Sequence, residues 1–192
     1  MSKRGPYRKG EAKRAEILTV ALEIFAAEGY RGTSLRKVAE RCGLSLPGVM
    51  HYFESKEDLL VQVLRMRDET ANQRHPELHG IGDFTDIVHE NMNTPGLVEL
   101  FVSMAASAKD PSHPAHEFFA HRYETLRPAL ASWLDSRAEA GELRTDLPTE
   151  RLATLVLAAI DGIQLQWLAD PSLDMRQPVT DLLTQLGLPN SG

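Results

Sequence analysis

Apolar side chains recur at spacings of three and four along most of this chain, the period of a helix with one buried face. Ile17, Leu18, Ala21, Leu22 and Phe25 follow it and predict a helix over 11–28, with Gly29 as the residue that ends it. Thr33 or Ser34 caps a second helix over 35–42, which buries Leu35, Val38, Ala39 and Cys42. Gly43 stops that helix, and Ser45 caps a third over 46–52. Pro47 is tolerated there because its missing N–H falls in a first turn, where it would have had no partner. A fourth helix over 56–72 places Leu59, Leu60, Val63, Leu64 and Met66 on its apolar face.

The pattern continues after a link rich in breakers, with Pro76, Gly80 and Gly82. Helices are predicted over 84–92, 97–108 and 115–140, the last carrying Phe118, Phe119, Tyr123, Leu126, Leu130, Trp133 and Leu134. Pro128 is expected to bend or loosen it. Thr149 is placed to cap a helix running to residue 169, and a last one is predicted over 179–186. No alternation of useful length suggests a strand, and no internal repeat is visible. The fold class is therefore all-α.

The third helix is too short to exist for packing alone. Helices over 35–42 and 46–52 joined by Gly43-Leu44-Ser45 form a helix-turn-helix, with Leu44 and Val49 as plugs against Val38 and Phe25. The remaining positions are then free to enter a major groove. Ser45, Leu46, Gly48 and His51 lie outward, and Pro47 suits apolar contact with a thymine methyl.

Charge sharpens this picture. The net charge is −6 and 42% of residues are apolar, which alone does not suggest a polyanion as partner. Yet residues 1–67 hold thirteen Lys/Arg against eight Asp/Glu, a net of +5, and residues 68–192 hold eight against nineteen, a net of −11. A basic first third and an acidic remainder imply two tasks. Residues 1–10 read as a flexible basic arm suited to phosphate or minor-groove contact. Cys42 is the single cysteine, so no intrachain disulfide forms, and it is expected to pack. No apolar run approaches a membrane span and no secretory leader is seen; a cytoplasmic protein with no membrane partner is expected.

The stretch "GYRGTSLRKVAERCGLSLPGVMHYFESKEDLL", residues 29–60, resembles the DNA-binding signature of the tetracycline-repressor (TetR/AcrR) family of bacterial transcriptional regulators. Phe25, Glu28-Gly29-Tyr30, Thr33-Ser34, Val38-Ala39, Gly43-Leu44-Ser45, Phe53 and Ser55-Lys56-Glu57 with Leu59-Leu60 carry the likeness. The resemblance implies a DNA-binding domain over 11–55 and a larger helical domain over 56–190 that dimerises and holds a small-molecule effector. It further implies a homodimer on a two-fold double-stranded DNA operator, the third helix reading bases while Thr33, Tyr52 and Lys56 hold phosphates. Half-sites one turn apart need heads about 34–36 Å apart, and an effector favouring another spacing lowers operator affinity by linkage. The fourth helix would be the mechanical link. Met50 departs from the aromatic residue usual in the family, so specificity is expected to lean on Arg36, His51, the arm and DNA shape; Ser34 is a further candidate for DNA contact.

For the second domain the resemblance leaves the site to be read from the residues. Phe101, Met104, Phe119, Tyr123, Gln164 and Trp167 are candidates to line an effector cavity, with Arg122 or His121 orienting an anion. Leu155, Ala159, Gly162, Ile163, Leu182, Leu183 and Leu186 are the candidate dimer face. His75 and His79 stand four apart, but Pro76 breaks the helical argument; no group has structural-zinc spacing, and neither metal nor cofactor is expected. No phosphate loop, nucleophile elbow or HExxH motif is present, so no enzyme activity is expected. A repressor released by its effector is the leading reading; the alternative is a helical ligand-binding or protein-interaction module without specific DNA binding.

Overall fold

The computed structural model describes residues 6–188, which form nine helices and no strand among the described residues. They fall into two compact units. One contains the described residues through Thr70 together with Pro95–His116; the other contains Ala71–Thr94 and the described residues from Glu117 onward. This division by compactness differs from the one drawn at residue 55, because α4 and α6 contribute to the first unit.

In the first unit, α1 (Pro6–Gly32) is interrupted at Gly29, whose φ of 67° lies in the left-handed region. It begins earlier than predicted, so 6–10 is helical rather than an arm; proline is well accepted in a first turn. Residues 1–5 of the predicted arm lie outside the described residues. Ser34 Oγ accepts from the Lys37 N–H to start α2 (Leu35–Arg41). Ser45 Oγ does the same for Gly48 at α3 (Leu46–Met50). Helix α3 is shorter than 46–52 because His51 and Tyr52 close it in a tightened turn, their N–H groups reaching Pro47 and Val49. Ile17, Leu18, Phe25, Val38, Val49 and Phe53 make the core with Leu59, Leu60 and Leu64 of α4 (Lys56–Arg74). Arg14 Nη2 ties α1 to α4 through Gln62 Oε1 at 2.6 Å.

Helix α6 (Leu97–Ser107) joins this unit through an unusually close approach to α1. Gly96 has φ 75°, and a Cβ there would sit 2.7 Å from Ala26 Cα. Only glycine accepts both the backbone angle and the distance.

The second unit is built on α5 (Ile81–Met92), α8 (Thr149–Ala169), α9 (Arg176–Gln185) and most of α7 (Pro114–Glu139). Helix α5 starts before residue 84 because Asp83 Oδ2 accepts from the N–H groups of His79 and Gly80 at 2.7 and 3.2 Å. Helix α7 continues through Pro128. Thr149 is not a cap: its hydroxyl donates to Asp135 Oδ1 at 2.7 Å, and Pro148 precedes the helix. Phe84, Trp133, Leu134, Leu152, Val156, Ile163, Val179 and Leu183 are buried in this unit. Contrary to the expectation from runs of apolar residues, α8 is long and apolar enough to cross a membrane by length and composition. It buries Leu152, Ala153, Val156 and Ile163.

Candidate functional site

The outward side of the helix-turn-helix follows from what the core takes. Val49 is the one buried residue of α3, and that anchor turns Pro47, Met50 and His51 outward along one face, three and four apart. Ser45, Pro47, Met50 and His51 are exposed, while Leu46, Gly48 and Tyr52 are half-buried. Tyr52 meets His51 edge-to-face at 5.4 Å between ring centroids.

Beside this face a second group is locked at the start of α4. Lys56 Nζ donates to the Tyr30 carbonyl at 3.1 Å and lies 3.5 Å from the centre of the Tyr30 ring. The Tyr30 hydroxyl donates to Glu57 Oε1. That bond, then burial, pushes the Tyr30 phenol up to about 12. Burial pushes the Glu57 carboxyl upward, but the Tyr30 bond, its own backbone N–H and Lys56 outweigh it, leaving it below its usual range. An ammonium so placed loses little rotamer freedom on meeting a phosphate.

Three other cations of this unit are already paired: Lys37 with Glu28, Arg41 with Glu23 at 3.0 Å, and Lys13 with Glu16 at 2.8 Å. Arg36, near the α2 start, is exposed. Cys42 is buried, and burial pushes its thiol up.

In the second unit, Tyr123 of α7 donates to Asp161 Oδ2 of α8 at 2.5 Å. Burial and then that bond push the Tyr123 phenol well above the usual tyrosine range. Phe119 stacks 6.2 Å from Tyr123 and edge-on to Phe118 at 5.0 Å. One turn beyond Asp161, Gln164 is buried; its Nε2 donates to the Ile160 carbonyl at 3.3 Å, while Oε1 has no partner. Exposed apolar residues line another side of α8, where Leu155 is 55% and Leu165 59% accessible.

Two family comparisons match this architecture in order along the chain. Residues 17–63 match the bacterial regulatory proteins of the tetR family, and residues 84–186 match the C-terminal part of the BetI-type transcriptional repressors. The chain belongs to the TetR family. This TetR-family regulator is 27% identical to the transcriptional repressor AcnR of Corynebacterium diphtheriae, with 90% of each chain covered. Its fold is similar to that of a transcriptional regulator from Saccharomonospora viridis in complex with choline: TM-score 0.72, 22% identity, 94% and 100% coverage. A TetR regulator from Haloarcula marismortui is similar at TM-score 0.77, 19% identity, 92% and 97% coverage.

Against that frame of TetR architecture, several expected contacts move. Thr33 is 1% exposed and its hydroxyl donates to the Gly29 carbonyl at 2.9 Å; it secures the turn instead of facing phosphate. Ser34 is exposed but serves as the α2 cap. Ile163 and Leu183 are buried in the second unit and belong to its core rather than an outer face. Leu155 and Ala159 are exposed, and Gly162, Leu182 and Leu186 are half-buried. Phe101 and Met104 are core residues of the first unit, with the Arg67 guanidinium 4.9 Å from the Phe101 ring. Phe119, Arg122, Tyr123, Gln164 and Trp167 belong to the second, where Arg122, Tyr123 and Trp167 are half-buried. His75 pairs with Asp83 at 3.1 Å, and among the described residues no group of three potential metal ligands occurs.

Three participants escaped the sequence reading. Tyr30 and Glu57 were signalled only by an aromatic following the helix-breaking Gly29 and an acid following Lys56. Asp161 was signalled by its place as the lone charge within "LVLAAIDGIQLQWL".

Proposed function

We propose that this regulator is a cytoplasmic repressor that binds a two-fold DNA operator as a homodimer and releases it when a small molecule occupies the larger helical domain. In this reading residues 11–55 bind DNA and residues 56–190 hold the effector and the dimer contacts. The observation that carries it is the exposed α3 face beside a preset Lys56. One groove-sized element and one fixed cation are what a half-site demands: contacts to base edges for sequence and contacts to phosphate for register.

Effector control draws support from two features. Within the first unit α6 is seated on α1 at Gly96, so a shift of α6 bears on the DNA-binding helices. In the second, the unpartnered Gln164 acceptor is costly to bury and suits a ligand that brings a donor. The exposed Leu155, Ala159 and Leu165 of α8 suit a second copy of the chain. The alternative, a module without specific DNA binding, is favoured by one observation: residues 45–52 contain no charged side chain.

Binding-site selection with the purified chain at physiological salt separates the two readings. A palindromic motif with half-sites about one helical turn apart is expected. Retention without a motif, lost at modest salt, would sink the repressor reading and leave the module. Choline, which occupies the Saccharomonospora viridis regulator, is the first probe for release of the selected operator.

A further inference from the structure

Resting on the operator-binding reading, we propose that α3 reads its half-site through thymine C5 methyl groups, with Met50 as the principal reading side chain. The argument is one of elimination along a short helix. Strong hydrogen-bonded readout uses Arg or Lys on guanine and Asn or Gln on adenine. None of these residue types occurs between residues 45 and 52. Ser45 Oγ accepts from the Gly48 N–H at 3.2 Å, which ties it to the start of the helix with a single O–H left to donate and no bidentate pair, and Gly48 has no side chain. Tyr52 is half-buried against His51.

What α3 does present is apolar. Met50 is 52% exposed and is the single large hydrophobic side chain exposed between residues 45 and 52. Core packing does not need it, since Val49 fills the buried slot. Met50 shares its face with exposed Pro47 and His51, so the helix offers two apolar contacts flanked by one imidazole. The thymine methyl is the apolar feature of the major-groove edge. An unbranched, polarisable thioether adapts to the position of such a methyl better than a rigid side chain does. Charge to hold the helix in the groove then comes from outside it, from Lys56 and the exposed Arg36.

The test uses the full-length chain and its selected operator. Each thymine of the half-site is replaced in turn by uracil, which removes only the methyl, and affinity is read by fluorescence anisotropy. At one or two positions per half-site a loss of about fourfold per methyl is expected, the equivalent of one buried carbon. Met50→Ala should bind the thymine operator more weakly by a similar factor and become indifferent to uracil at those same positions. Its melting temperature should be unchanged, because the side chain it loses is exposed. A sharp operator bound equally well with uracil throughout overturns the inference while leaving the repressor reading intact. Full retention of methyl discrimination by Met50→Ala overturns the assignment to Met50. Selection that yields no motif overturns both.

Discussion

Gly96→Ala is expected to loosen α6 from α1. Alanine at φ 75° incurs the left-handed strain of about 1–2 kcal/mol. Its Cβ would also stand 2.7 Å from Ala26 Cα and 2.8 Å from Ala26 Cβ. Both are backbone-fixed atoms that no rotamer change moves aside, so overpacking adds about 1–3 kcal/mol. Taking about 3.5 kcal/mol in all, a chain of this size should lose about 7–14 °C in Tm. Two substitutions isolate the contact from the strain. Gly43 and Gly141 also have positive φ, 62° and 73°, but an added Cβ at either meets nothing within 4 Å. Gly43→Ala and Gly141→Ala should therefore cost only the strain. Thermal and urea denaturation of all three variants measure the difference, and operator affinity follows because α1 belongs to the DNA-binding unit. Equal shifts for Gly96→Ala and Gly43→Ala would refute the close approach and with it the seating of α6 on α1.

Lys56→Gln should weaken DNA binding by about tenfold and reduce the dependence of log affinity on log salt by about one; an unchanged slope would remove Lys56 from the phosphate contacts. Tyr123→Phe deletes a hydrogen bond to a carboxylate and should cost about 1.5–3 kcal/mol near neutral pH. Because the folded phenol is raised, that advantage of the native chain is fully present below about pH 10, the ordinary tyrosine value, and is lost as pH rises through the folded value. Paired melts of the two proteins from pH 7 upward check the sign. Gln164→Met removes an unpartnered buried acceptor at similar volume but also the Nε2 bond to the Ile160 carbonyl, so stability should change by less than about 1 kcal/mol while the response to whichever small molecule releases the operator is lost. A Gln164→Met chain that keeps that response would remove Gln164 from the effector site.

The elements of the fold were legible wherever a local signal decided them. Ser45 caps the helix it was placed to cap, Ser34 rather than Thr33 caps the one before it, Gly29 breaks α1, and Val38 and Val49 are buried. Local signals misled where a distant or reaching group won. Gly80 and Gly82 read as a link, yet Asp83 folds back on the N–H groups of His79 and Gly80 and starts α5 at Ile81, directly after Gly80. Thr149 looked like a cap, and Asp135 took its hydroxyl. Periodicity separates buried from exposed stripes but does not say which apolar stripe faces the chain's own core. Leu155 and Ile163 lie on one helix and were grouped together, although one is exposed and the other buried. The Tyr30–Glu57–Lys56 cluster depends on bringing the end of α1 to the start of α4, a tertiary fact with only a faint trace in the sequence.

The slightness of α3 has a consequence for how such a protein changes over time. One buried side chain, Val49, and one serine cap hold the helix in register. Positions 47, 50 and 51 can therefore be exchanged at little cost to folding, because surface substitutions away from a core usually shift stability by about 0.5 kcal/mol or less. Operator preference can drift, or be rewritten by design, on a scaffold that barely notices. A long, deeply packed recognition helix would have tied each new target sequence to a rebuilt core.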